Sequence, residues 1–256
     1  MAVEAPRRAL TGLPLVPALA ALAVALQIAY PLASSGARPG LTVAIVLAFA
    51  AASGAHAVIT RGRRVGAAAV AIAAAAGFAA EAVGLRTGVP FGQYAYGTVL
   101  GPRLAGVPLV VVAAWTMLAW PAALAARRLV RGYPARVLVG AWALAAWDLY
   151  LDPQMVAGGA WHWRDPHPHL PGVPDVPLGN YAGWLLVAAA LSAALQWLLR
   201  EDRGGDDAVP LALYAWTWLG SALALAAFLH RPAAAAWGFA AMGLVAAPLL
   251  ARPRRR

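Results

Sequence analysis

Of the 256 residues, 62% are hydrophobic and 12% charged, which lies far outside the average for soluble domains and describes a polytopic membrane protein. The complete lack of cysteine excludes disulfides, thiolate catalysis and Cys-ligated zinc or iron–sulfur centres. The net charge of +10 is carried by arginines placed between apolar runs, so it speaks for orientation in a bilayer, and no nucleic-acid partner is expected.

Runs of about twenty apolar residues are long enough to cross a bilayer. They predict an all-α chain of eight transmembrane helices, over residues 10–33, 41–60, 65–85, 107–126, 136–152, 181–199, 209–229 and 233–251. The first follows Arg7-Arg8 and resembles a signal peptide, but its apolar core is long for one, and it is expected to remain as a span. With both termini in the cytoplasm, the cytoplasmic segments carry fifteen arginines and the outer ones five, Arg38, Arg86, Arg103, Arg164 and Arg231. Every inner loop is then richer than its outer neighbours, which supports the count of eight. The whole chain, 1–256, reads as a single multi-pass domain of the cell membrane, surrounded by lipid.

The chain is organised around Trp147-Asp148-Leu149-Tyr150-Leu151-Asp152-Pro153, at the end of the fifth predicted helix, which Pro153 is expected to stop. Four residues apart, Asp148 and Asp152 share one helix face, and Ala141 and Ala145 continue that face as small residues. An ionisable group within a span is a functional-site hypothesis by default. A sheltered carboxyl pair is expected to share a proton and so to offer a general acid and a general base together. Glu81 falls at the same predicted depth, as do Asn180-Tyr181-Ala182-Gly183-Trp184 at the start of the sixth helix and both long loops, 86–106 and 153–180. For Glu81 the plainer reading is an interfacial pair with Arg86. Asp165, Asp175, Glu201, Asp202, Asp206 and Asp207 fall in loops, where most are expected to be solvated.

The loop Thr87-Gly88-Val89-Pro90-Phe91-Gly92-Gln93-Tyr94-Ala95-Tyr96-Gly97 is rich in aromatics, as is Trp161-His162-Trp163. Such residues form either an interfacial belt or the wall of a cavity, where their faces attract a developing cation. His162, His167 and His169 lie in a Pro-rich loop, and no metal site is expected there.

Several of these motifs, Glu81-x-x-Gly84-x-x-Thr87-Gly88-x-Pro90-Phe91-Gly92-x-Tyr94-x-Tyr96, Gly106-Val107-Pro108 leading to Trp115, Asp148-x-x-x-Asp152-Pro153, Trp161-x-Trp163 and Asn180-Tyr181-x-Gly183-Trp184, come in one order along residues 81–184. Together they resemble the CruF-like carotenoid biosynthesis family, whose characterised members are carotenoid 1′,2′-hydratases, including bisanhydrobacterioruberin hydratases. The segment His169 to Gly179 departs from that pattern, being longer and without an aromatic before Gly172-Val173-Pro174. The resemblance implies addition of water across the terminal isopropylidene double bond of an acyclic carotenoid, without a cofactor. Asp148, Asp152 and Glu81 would be catalytic. Thr87, Phe91, Gln93, Tyr94, Tyr96, Tyr150, Trp161, Trp163, Asn180, Tyr181 and Trp184 would bind substrate, and other membrane enzymes of the same pathway would be neighbours. Two other classes stay open: a carotenoid cyclase or lycopene elongase, and a non-enzymatic transporter or structural membrane protein. A single Asp-x-x-x-Asp motif argues against prenyl transfer, which needs aspartate-rich motifs to hold a magnesium diphosphate.

Overall fold

The computed structural model describes residues 15–202 and 204–251; the N-terminal stretch with Arg7 and Arg8, the start of the first predicted helix, and the C-terminal arginines lie outside them. The described residues form an all-α bundle. Its helices are α1 (Leu15–Leu32), α2 (Arg38–Thr87), α3 (Leu109–Leu129), α4 (Tyr133–Ala157), α5 (Leu178–Leu198), α6 (Ala208–Leu223), which continues into a π-helical turn Ala224–Phe228, and α7 (Pro232–Ala251). Among the described residues six of these are long and apolar enough to cross a membrane, α4 being the exception. The apolar run of α4 is broken by Asp148, Asp152 and Gln154.

The two helices predicted over 41–60 and 65–85 are both present as the two arms of α2, which is not one continuous helix: Gly62 between them has a non-helical backbone (φ 80°, ψ 158°). That conformation is open to glycine alone at no steric cost. The two arms fold back on each other, because a Cβ on Gly66 would collide with the backbone of Val58, although eight residues of straight helix would hold them about 12 Å apart. Arg38 and Glu81, at the far ends of the two arms, are thereby returned to one end of the bundle.

Helix α3 is buried without interruption from Trp115 to Ala126 and forms the axis around which α2, α4, α6 and α7 pack. Apolar on all sides, it has no face suited to lipid headgroups or water. The predicted end of the fifth helix at Pro153 is corrected: α4 runs through Pro153 to Ala157. Near a helix end proline forfeits one hydrogen bond to the carbonyl four residues back, and the surrounding packing holds the final turn.

The two long loops do not lie separately on the surface. Strand β1 (Tyr94–Tyr96) in the first pairs antiparallel with β4 (Trp161–Trp163) in the second. Two shorter ribbons, β2 (Arg103–Leu104) with β3 (Val107–Pro108) and β5 (His169–Leu170) with β6 (Val173–Pro177), complete a cap over this end. At the other end, Arg61 is paired with Asp202 at 3.1 Å and Asp207 at 2.7 Å, and Arg127 with Asp202 at 3.5 Å. Asp202 and Asp207 are thus structural partners of buried arginine, where the sequence suggested solvated loop acids.

Candidate active site

Asp148 and Asp152 lie one turn apart on the inward face of α4, 0% and 2% exposed, with their carboxyl groups in hydrogen-bonding reach of one another. Asn180, in the first turn of α5, bridges them. Its Nδ2 donates to Asp148 Oδ2 at 2.8 Å and also to Asp152 Oδ2. Trp161 Nε1 donates to Asp152 Oδ1 at 3.0 Å. Asp148 Oδ1 is buried and receives no donor among the described residues, leaving it open to a proton held between the two carboxyls.

Glu81, on the second arm of α2 and 5% exposed, is served by three donors: Tyr94 Oη at 2.5 Å and Tyr96 Oη at 2.7 Å on Oε2, and Trp115 Nε1 at 3.2 Å on Oε1. The suggested partner, Arg86, is exposed and does not take part. Burial, and next the Glu81 carboxylate, push both phenols well above the usual tyrosine range, so they remain donors at any ordinary pH. Three donors converging on one carboxylate suit its ionised form, which can only accept.

The β1–β4 ribbon joins these two groups. Tyr94 stands opposite Trp163, and Tyr96 opposite Trp161. One ribbon therefore supplies two donors to Glu81 and one to Asp152. Glu81, Asp152 and Asn180 line a common cavity of about 50 Å³, enough for more than one water. Its remaining wall is part aliphatic, with Val46, Val110, Leu151 and Met155, and part aromatic, with Phe91, Trp115, Trp163 and Trp184. Trp115 and Trp184 stack at 4.2 Å, Phe91 and Trp147 pack on Trp184, and Trp163 is fixed by its indole N–H on the Phe91 carbonyl at 2.8 Å. Gly183, one residue before Trp184, lets the loop come close, since a Cβ there would lie 2.5 Å from the Pro90 carbonyl oxygen.

Other predicted residues fall elsewhere. Thr87 is exposed, its hydroxyl bonding the Val83 carbonyl and the Val89 amide at the end of α2. Gln93 is also exposed, and its backbone carbonyl accepts from the Arg164 amide at 2.9 Å. Neither lines the cavity. Tyr150 points away from it and bonds the Trp218 carbonyl at 3.0 Å. Tyr181 lies close enough to both aspartates to feel their charge, with a buried hydroxyl that lacks a partner among the described residues. His162 and His167 are exposed, and among the described residues no three His, Asp or Glu side chains group as metal ligands. The sequence did not assign a role to Trp115, the third donor to Glu81; its place in the motif series was the available signal. Trp147, adjacent to Asp148, was likewise given none.

The fold and the site together define an integral membrane protein with a carboxylate-lined, partly aromatic chamber closed by loops. The family model described as carotenoid biosynthesis protein matches residues 40–245, and the chain belongs to that family. A bisanhydrobacterioruberin hydratase from Haloarcula japonica is 37% identical over 130 residues. That match spans 49% of this chain and 42% of the relative. No solved structure matches the chain.

Proposed function

We propose that this protein is a cofactor-independent carotenoid 1′,2′-hydratase, adding water across the terminal isopropylidene double bond of an acyclic carotenoid. The observation that carries this reading is that Asp152 and Glu81, from two helices far apart in sequence, line one chamber, with Asp148 tied to Asp152 through Asn180. Asp152 lines the chamber and Asp148 stands behind it, so Asp152 delivers the proton that the two share. The π bond breaks as a C–H bond forms at one carbon, leaving a tertiary cation at the other. Aromatic faces attract that cation by about 0.5–2 kcal/mol each. Water captures it, the C–O bond forms, and the proton released returns to the now ionised pair, directly or by way of Glu81, restoring the starting state. The cycle consumes only substrate and water.

The same reading places the chain in the cell membrane as a single domain of eight spans, counting the two arms of α2 separately and including α4, with both termini cytoplasmic. The arginine distribution supports that orientation. The carotenoid lies among lipid, and other membrane enzymes of its pathway would work alongside.

Purified protein in lipid nanodiscs, given a lycopene-type or bisanhydrobacterioruberin-type substrate in ¹⁸O-water with no added cofactor, should yield a hydroxylated product carrying the label. A cyclised, unlabelled product would instead identify a cyclase, and unchanged substrate would reject both.

A further inference from the structure

The chamber is too small for more than an end group and water, so the rest of a long hydrocarbon must leave it somewhere. Two larger cavities share its walls. One, of about 230 Å³, has Ser35, Arg38, Gln154 and Arg231 interspersed among apolar lining residues, and covering those polar and charged groups with hydrocarbon would be costly. The other, of about 250 Å³, lies between α1, α2, α4 and α6 and is mostly apolar; Thr42, Val46, Leu151 and Met155 belong to both it and the chamber.

We infer that the cavity between α1, α2, α4 and α6 holds the polyene chain while its end group enters the chamber past Thr42, Val46, Leu151 and Met155. The inference rests on the hydratase reading for its substrate class. Three observations carry it. The two spaces are neighbours, parted only by side chains that line both. Ile28 on α1, and Leu223 and Phe228 on the α6 side, are 50%, 62% and 44% exposed at the cavity's rim, so it opens sideways toward the region that lipid would occupy. The rim also contains the π-helical turn Ala224–Phe228, a local widening of the kind that often marks functional sites. A hydrophobic rod already dissolved in the bilayer would slide in along this seam without crossing water.

The absence of cysteine makes a single introduced thiol a unique label. In Ser221→Cys, a nearly isosteric change on the α6 wall, alkylation by an uncharged maleimide should slow about ten-fold when lycopene in the nanodisc is about ten times its dissociation constant. Leu138→Cys, on α4 and 69% exposed away from the cavity, should react at the same rate with or without lycopene. Ile45→Cys, on the opposite wall, gives the same readout should the first variant fail to fold. Hydration is measured in the same samples. Protection without hydration leaves the polyene subsite standing and removes the hydratase reading. Hydration without protection overturns the subsite alone, and the absence of both overturns the two together.

Discussion

Tyr96 and Trp161 stand opposite each other across the β1–β4 ribbon, ring centroids 5.8 Å apart, yet they serve different acids: Tyr96 donates to Glu81 and Trp161 to Asp152. A hydrogen bond to a charged group contributes about 1.5–3 kcal/mol. Tyr96→Phe and Trp161→Phe keep the rings and so the ribbon, and each should lower turnover about ten- to a hundred-fold with unchanged helical circular dichroism. Equal turnover in both variants and the parent would show that these donors do not tune the acids.

Asp148→Asn and Asp152→Asn keep the shape of the pair and remove its proton traffic. General acid–base groups contribute about 10²–10⁴-fold to rate, and each variant should lose turnover in that range while retaining the melting temperature within a few degrees. Because Asp152 alone of the two lines the chamber, its variant should be the more severely affected. Full activity in either folded variant would remove the proposed mechanism.

Gly183→Ala tests the close approach of α5 to the Pro90 loop. The added methyl would press on the Pro90 carbonyl oxygen and the Phe91 ring, an overpacking that costs about 1–3 kcal/mol. Thermal unfolding should move down accordingly, and substrate affinity should fall because Trp184 is displaced with its helix.

Arg61 offers the complementary case. Its side chain is 3% exposed and bound to Asp202 and Asp207, and it lies nineteen residues from Thr42, about 28 Å along the first arm of α2. Breaking a buried pair from one side costs about 3 kcal/mol. Arg61→Ala should therefore lower the unfolding temperature without altering kcat, which separates loss of stability from loss of chemistry.

The phenols give a spectroscopic check. A free tyrosine ionises near pH 10, whereas burial and the Glu81 carboxylate hold Tyr94 and Tyr96 protonated above that. Replacing either by Phe should leave the phenolate absorbance gained around pH 10 unchanged in the folded protein. A drop in that absorbance would show that the chamber is wet.

The helical class and the common depth of Glu81, Asp148, Asp152 and Asn180 were legible in the sequence because hydropathy and arginine placement report depth directly. Pairing between distant loops was not. Tyr94–Tyr96 and Trp161–Trp163 are only three residues each, too short for a strand period to register. Their meeting decides which donor serves which acid. Thr87 and Gln93 sit within the motif yet face outward, since a motif marks a stretch of chain while burial alternates within it. Pro153 was misread as a stop because a local rule about proline was outweighed by packing that no local pattern contains. Asp202 and Asp207 looked like ordinary loop acids, their arginine partners lying more than seventy residues away.

Among the described residues five side chains donate to the three acids: Tyr94, Tyr96 and Trp161 come from the ribbon, Trp115 and Asn180 from helices. During biogenesis, a chain with every helix inserted and its loops not yet zipped together would hold the acids without most of their donors. The proposed chemistry therefore depends on a closure between two loops as well as on the insertion of the helices. Mild detergents that loosen the cap should silence the protein long before they unwind its helices.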